Sequence, residues 1–158
     1  MTVAPTAVET TLDVQLKRID AGIEAPSYAQ PGDAGADLRS TIDLVLEPGE
    51  RRLVPTGVSV TLPFGTVGLI HPRSGLAAKH GITVVNAPGT IDAGYRGEIS
   101  VCLLNTDRTE AFRINRGDRI AQLVIQRIEI ADFRIVDELP GSERGAGGFG
   151  STGGFNAR

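Results

Sequence analysis

Asn86 to Glu98 reads NAPGTIDAGYRGE and sets one acid, Asp92, and one aromatic, Tyr95, on a glycine-cornered hairpin between apolar runs. Pro88-Gly89 and Ala93-Gly94 supply turn chemistry at each end of Thr90-Ile91-Asp92, so the Asp92 carboxylate is held by backbone geometry. A fixed carboxylate beside a flat ring can hold a small molecule and act on it. Ile82 to Val85 precede the segment and alternating Ile99, Val101 and Leu103 follow it, so both flanks are expected to be strand.

Four other clusters carry chemistry. Asp33 to Leu38, DAGADL, fits a solvated turn, or a site that puts the Asp37 carboxylate near a hydrated divalent ion or a sugar hydroxyl. His71 to Leu76, HPRSGL, joins the donor fork of Arg73, the hydroxyl of Ser74 and the amides of Ser74 and Gly75. That set fits a phosphate cradle, and it equally fits a capped helix with a surface arginine. His71, in an apolar run, reads as a hydrogen-bonded structural histidine, and His80 as a surface residue. In Arg116 to Val124, Gly117-Asp118 turns the chain into a strand on which Ile120 and Val124 share a face with Gln122. Gln122 there needs a partner, either a ligand or the backbone, while Asp118 is expected to pair with an arginine at the turn. Last, Gly141 to Gly154 is a glycine-rich arm bearing Arg144, Phe149, Gly150, Ser151 and Thr152. Its amides, hydroxyls, charge and one ring match the parts of a nucleotide, although such composition is also that of a plain disordered tail. It is no Walker loop, since no Lys precedes the Ser-Thr pair.

These clusters need a scaffold, and 158 residues are enough for one domain. Aromatics are 4% with no Trp, so the core must be Val, Ile and Leu, which favours strands. Net charge is -3, which gives no bulk attraction to nucleic acid, so a triphosphate would need a local basic site. The single Cys102 is expected to be a buried reduced thiol and rules out an intramolecular disulfide framework. No apolar run is long enough to cross a bilayer and the N-terminal stretch lacks the pattern of an export signal, so a cytoplasmic, soluble protein is expected.

Period-two alternation recurs at Val14 and Leu16; Ile42, Leu44 and Leu46; Val58, Val60 and Leu62; Ile99, Val101 and Leu103; Phe112 and Ile114; and Phe133 and Ile135. Turn signals separate these runs at spacings typical of a sandwich or barrel, with a first strand expected over 13–19. A short helical piece is expected around Leu76 to Lys79, ended by Gly81. No βαβ alternation exists, which argues against a doubly wound nucleotide fold. The expected organisation is a flexible tail over 1–12, a β domain over 13–140 and the arm over 141–158.

In this order, DAGADL, PRSGLA, NAPGTIDAGYRGEI, RGDRIAQLV and RGAGGFGSTG resemble the five motifs of trimeric deoxyuridine triphosphatase (dUTP pyrophosphatase), from about Asp13 to Gly154. The resemblance implies an all-β, jelly-roll-like distorted β-barrel (β-clip) and a homotrimer whose active sites are shared among its subunits. It implies Mg²⁺ dependence and hydrolysis of dUTP to dUMP and pyrophosphate by in-line water attack on the α-phosphate, limiting dUTP and supplying dUMP for thymidylate synthesis. Carried over, Asp92 is the general base. Tyr95 lies under the deoxyribose and excludes a 2′-hydroxyl, and Asn86, Thr90 and Ile91 read the uracil edge. Arg73, Ser74, Gly75 and Gln122 hold the phosphates, and Asp37 reaches the hydration shell of a Mg²⁺ carried mainly by the triphosphate. Arg144, Gly150, Ser151 and Thr152 grip the γ-phosphate and Phe149 stacks on the base, while Ser100 touches the ligand through its backbone. Two alternatives share the fold or the pocket. One is a dCTP deaminase, mono- or bifunctional, which would need a pocket glutamate and lacks the Phe-bearing arm; Glu98 reads as outward-facing scaffold. The other is a non-catalytic trimeric nucleotide-sensing module, against which an intact Asp92 argues.

Overall fold

The computed structural model describes residues 11–148. Alternating Val, Ile and Leu runs form short strands because each strand buries one face and leaves the other to polar residues. In chain order these are β1 (Gln15–Arg18), β2 (Gly35–Arg39), β3 (Leu44–Leu46), β4 (Arg51–Pro55), β5 (Val58–Thr61), β6 (Thr66–His71), β7 (Ile82–Val84), β8 (Gly89–Ile91), β9 (Ser100–Asn105), β10 (Phe112–Ile114) and β11 (Arg119–Arg127). One helix, α1 (Ser74–His80), follows β6.

Antiparallel ladders join the strands into a four-stranded sheet of order β2-β11-β6-β8, a three-stranded sheet β4-β9-β7, and the pairs β1-β5 and β10-β3. The connections pass repeatedly from one sheet to another, giving a jelly-roll-like all-β architecture without one closed ring of hydrogen bonds. Leu38, Leu46, Val54, Ile70, Ile99, Leu103 and Ile114 fill the space between the sheets, a core of aliphatic side chains as the composition required. Asn105 is buried with them, its Nδ2 donating to Leu46 O at 3.0 Å and Glu110 O at 2.9 Å while Oδ1 accepts from Asp107 N at 2.9 Å.

Helix α1 begins without a side-chain cap and ends at Gly81, whose φ of 64° is left-handed and whose amide bonds back to the Ala77 and Leu76 carbonyls. Lys79 and His80 in its last turn complement the dipole there.

Several expectations are corrected. Phe133 and Ile135 are 91% and 96% exposed and lie in no strand, because among the described residues no strand runs beside them. Gly35 to Arg39, expected in a turn, form strand β2; only the preceding Asp33 turns the chain, its Oδ2 accepting from Gln30 N at 2.9 Å. In β11, Arg119 pairs with Arg39 and Ala121 with Leu38, so Ile120 is the extra residue of a bulge. The bulge reverses the alternation: Ile120, Ala121 and Leu123 are buried, and Gln122 and Val124 lie on the other face instead of sharing one with Ile120. Among the described residues Asp118 makes no ion pair; its Oδ2 accepts from Asn115 N at 2.8 Å and closes the turn locally.

Candidate active site

The 86–98 segment is not a hairpin closed on itself. Strand β7 before it pairs with β9 in one sheet, while β8 inside it pairs with β6 in the other, so the segment crosses between sheets and returns. The gap it spans is a cavity of about 330 Å³ lined by Asn86, Thr90, Ile91, Asp92, Tyr95 and Ser100, together with Glu98, Leu53 and Cys102. A methyl on Gly89 would stand 3.3 Å from Asn86 Nδ2, so the glycine lets the amide lie close to β8.

Backbone bonds fix the turn that carries the acid and the ring. Tyr95 N donates to Asp92 O at 3.0 Å, and Arg96 Nη1 donates to the Ala93 and Tyr95 carbonyls at 2.6 and 2.7 Å. The Tyr95 hydroxyl donates to Glu98 O at 2.9 Å. Glu98 is half-buried and lines the cavity, contrary to the outward scaffold position expected for it, because its Oε1 accepts the Gly57 amide at 2.8 Å across the return of the chain. Ile99 N then donates to Val58 O at 2.8 Å, and Thr56 Oγ1 to Ile99 O at 2.6 Å.

Cys102 is a free thiol, half-buried at the cavity wall and not enclosed in the core. The signal was present in β9, where Ser100 and Cys102 occupy the face opposite buried Val101 and Leu103. Leu53, the Cα partner of Cys102, reaches the cavity through that register, which no local pattern announces.

A second cavity, about 340 Å³, is lined by Arg73, Ser74, Gly75, Gln122, Lys79 and His80. Lys79 was not singled out in the sequence, yet one helical turn places it beside Gly75 and adds a second cation. Asp37 is 14% exposed and sits between two guanidinium groups, Arg73 Nε 3.0 Å from Oδ1 and Arg119 Nη1 3.0 Å from Oδ2. Both of its oxygens are thus engaged by arginines. Gln122 Nε2 donates to Pro72 O at 2.9 Å, so the backbone is one partner of its amide. Gly35 makes room for it, since a methyl there would strike Gln122 Oε1 and stand 2.9 Å from Cδ. His71 lies opposite Gln122 in the ladder, and His80 packs on Phe112 with ring centroids 4.9 Å apart.

The two cavities share no residue, and Asp92 and Arg73 lie toward opposite ends of β6. Ile91 pairs with Gly68, so Asp92 continues toward Val67, whereas Arg73 lies past the other end of the strand. Six residues at ~3.3 Å each put them roughly 20 Å apart along the chain direction.

Arg144 is exposed, its Nε bonded to Gly147 O at 2.9 Å. Phe149, Gly150, Ser151 and Thr152 lie outside the described residues. Among the described residues no three His, Cys, Asp or Glu side chains gather into a metal-binding group, and no helix is long and apolar enough to cross a membrane.

An all-β scaffold that carries one cavity lined by a carboxylate and an aromatic ring, and a separate cationic cluster, is the class of β protein whose site suits a small phosphorylated ligand. The dUTPase family model matches residues 21–153. The chain is 63% identical over 147 residues to the deoxyuridine 5′-triphosphate nucleotidohydrolase of Thermobifida fusca, covering 93% of this chain and 82% of that protein. It is 60% identical to the protein of the same name from Rhodococcus erythropolis, covering 90% and 87%. Among solved structures, the dUTPase of Staphylococcus bacteriophage 80alpha with dUPNHPP superposes with a TM-score of 0.84 at 34% identity, covering 90% of this chain and 99% of that one. A mutant dUTPase from phage phi11 of S. aureus, described for its coordination of a structural Mg(II) ion, superposes with a TM-score of 0.76 at 28% identity, covering 82% and 100%. This chain belongs to the dUTPase family.

Proposed function

We propose that the protein hydrolyses dUTP to dUMP and pyrophosphate, keeping dUTP low and supplying dUMP. The observation that carries the reading is Asp92 and Tyr95 on one backbone-fixed turn in a single cavity, within a chain of this family. Asp92 accepts a proton from a water as its oxygen attacks the α-phosphorus, and the bond from that phosphorus to the α,β-bridging oxygen breaks as pyrophosphate leaves. Tyr95 closes the floor of the sugar site against a 2′-hydroxyl. Asn86 and the backbone at Thr90 and Ile91 pair with the uracil edge, so a cytosine would leave buried groups unpaired. Ser100 lies on the opposite wall. A deaminase reading gains Glu98 as a cavity residue but has its carboxylate engaged by Gly57, and the family relatives do not favour it.

The roughly 20 Å between Asp92 and Arg73 of one chain is far longer than a triphosphate, which supports a site completed by a second copy. Arg73, Ser74, Gly75 and Gln122 of one subunit would then hold the phosphates of a nucleotide seated in the Asp92 cavity of another, in a homotrimer. Ile130, Phe133, Ile135 and Leu139, each at least 80% exposed, offer apolar surface for such contacts. Arg144 and the segment with Phe149, Gly150, Ser151 and Thr152 would close over the shared site. The donor set fits a Mg²⁺ carried by the triphosphate and surrounded largely by water, since no protein cage exists among the described residues and Asp37 is held by two arginines. Bound there, the ion would neutralise phosphate charge.

The test is pyrophosphate release from a panel of dUTP, UTP, dCTP and dTTP with Mg²⁺, beside Asp92→Asn. Expected are strong preference for dUTP and, in the variant, retained nucleotide binding with turnover reduced by about 10² to 10⁴. Equal turnover of UTP removes the steric role of Tyr95, and undiminished turnover of the variant removes Asp92 as base.

A further inference from the structure

The Tyr95 ring stands where it does because of what lies behind it. Gly97 is not part of the cavity wall, whereas Tyr95 and Glu98 on either side of it in sequence are. A methyl group on Gly97 would collide with the Tyr95 hydroxyl oxygen and stand 2.6 Å from Cζ and 3.0 Å from Cε2. The hydroxyl end of the ring therefore rests against a bare Cα, while the same side chain lines the cavity.

Backbone conformation does not require glycine there. Gly97 has no left-handed φ, unlike Gly57 at 72° or Gly81 at 64°, so alanine could adopt its dihedral angles. What the position requires is absence of a Cβ. Gly94, in the same turn, also has an ordinary φ and would meet nothing within 4 Å on gaining a methyl. The two glycines thus separate close approach of the ring from general turn chemistry.

The hydroxyl end of the ring is fixed as well. It donates to the Glu98 carbonyl at 2.9 Å, and the Glu98 residue is itself tied through Oε1 to the amide of Gly57, just before β5, at 2.8 Å. The atoms that a Gly97 methyl would strike are at the far end of the Tyr95 side chain, held there by that one hydrogen bond. The fold can absorb the collision by moving the ring, and because the ring lines the cavity such a shift reshapes its wall.

We propose that Gly97 is a specificity-determining positioning residue: its bare Cα is the seat that holds the Tyr95 ring back from the sugar site at the depth that admits a deoxyribose. This rests on the reading of Tyr95 as the floor of that site. Gly97 touches no substrate and acts only through Tyr95.

The test is a double-mutant cycle read as kcat/KM for dUTP and UTP in the parent, Gly97→Ala, Tyr95→Ala, the double variant and Gly94→Ala. Gly97→Ala is expected to lower kcat/KM for dUTP about tenfold or more, chiefly through KM, since displacements of about 1 Å at a reacting site have effects of that size. In the Tyr95→Ala background the same substitution is expected to change nothing, and Gly94→Ala is expected to match the parent. An equal loss in both backgrounds, or no loss in the parent, overturns the seat. A double variant that melts far below Tyr95→Ala places the strain in the backbone and also overturns it. The sugar reading fails separately: if Tyr95→Ala leaves the dUTP to UTP ratio unchanged, Tyr95 does not choose the sugar, while the Gly97 cycle still reports whether the ring is seated there.

Discussion

If the Asp92 cavity of one chain is completed by the Arg73 cluster of another, two inactive variants should restore one another. The register of β8 on β6 puts Asp92 level with Val67, and Arg73 lies beyond the far end of the same strand, roughly 20 Å away at ~3.3 Å per residue. At that separation Arg73 of the same chain stands well beyond hydrogen-bond reach of an α-phosphate held by Asp92. Asp92→Asn removes the base and leaves the cluster intact; Arg73→Ala removes a cluster guanidinium and leaves the cavity intact. Unfolded together in equal amounts and refolded, the chains mix at random in each oligomer. A working site then needs its cavity from an Arg73→Ala chain and its cluster from an Asp92→Asn chain, which random assembly supplies in about one quarter of sites. Pyrophosphate release from dUTP is therefore expected to reach about 25% of the parent rate, with each variant alone near background, and a solution mass should confirm the trimer. Mixing Asp92→Asn with Tyr95→Ala, both in the cavity, should restore nothing like that amount. Activity of the first mixture no greater than the mean of its two components would refute the shared site and the distance argument behind it.

Further outcomes follow from single contacts. Gly35→Ala pushes a methyl into Gln122, and loss of its place in the phosphate cluster is expected to raise KM for dUTP about tenfold, the worth of one hydrogen bond to a charged group; an unchanged KM would leave Gln122 a structural residue only. Asn105→Ala strands the buried Leu46 carbonyl and takes a partner from the part-buried Glu110 carbonyl and Asp107 amide, a loss of about 3 kcal/mol that thermal unfolding should show as a melting point lower by ~6–12 °C. Arg116 hydrogen bonds, reinforced by the Gly22 amide, hold the Asp20 carboxyl down at about 2 from its ordinary 3.8. A lowered folded pKa stabilises above the unfolded value, so this contribution is complete above pH 3.8 and is lost as pH falls from there toward 2. Arg116→Ala should accordingly flatten the acid limb of a melting-temperature profile in that window, and an unaltered slope would show the pair to be irrelevant to acid unfolding.

The parts of this site that were legible in the sequence are those whose meaning is local. Asp92, Tyr95 and the turn residues around them are neighbours in the chain, and Gly81 ends α1 by a conformation that one residue determines. Gln122 was visible as an amide in a strand, but its face was misread because a bulge at Ile120 cannot be seen until the partner strand β2 fixes the register. Glu98 looked like scaffold for a similar reason: the amide that draws it inward belongs to Gly57, which is 41 residues away in sequence. Phe133 and Ile135 show the opposite failure, a strand periodicity with no partner strand among the described residues. Periodicity states which face wants to be covered, and only pairing states by what.

The same distinction governs the chemistry. Motif order named the acid, the ring and the phosphate-binding residues together, and only the family resemblance implied that they meet between subunits; within one chain, strand β6 has the acid toward one end and the arginine past the other. Sequence can identify groups fit to act on a nucleotide, because each is chosen by chemistry that its immediate neighbours reveal. Which groups act on the same nucleotide is decided by the length of a strand and the register beside it. Six residues of extended chain exceed the reach of any triphosphate, so the geometry of a single subunit argues for a second one.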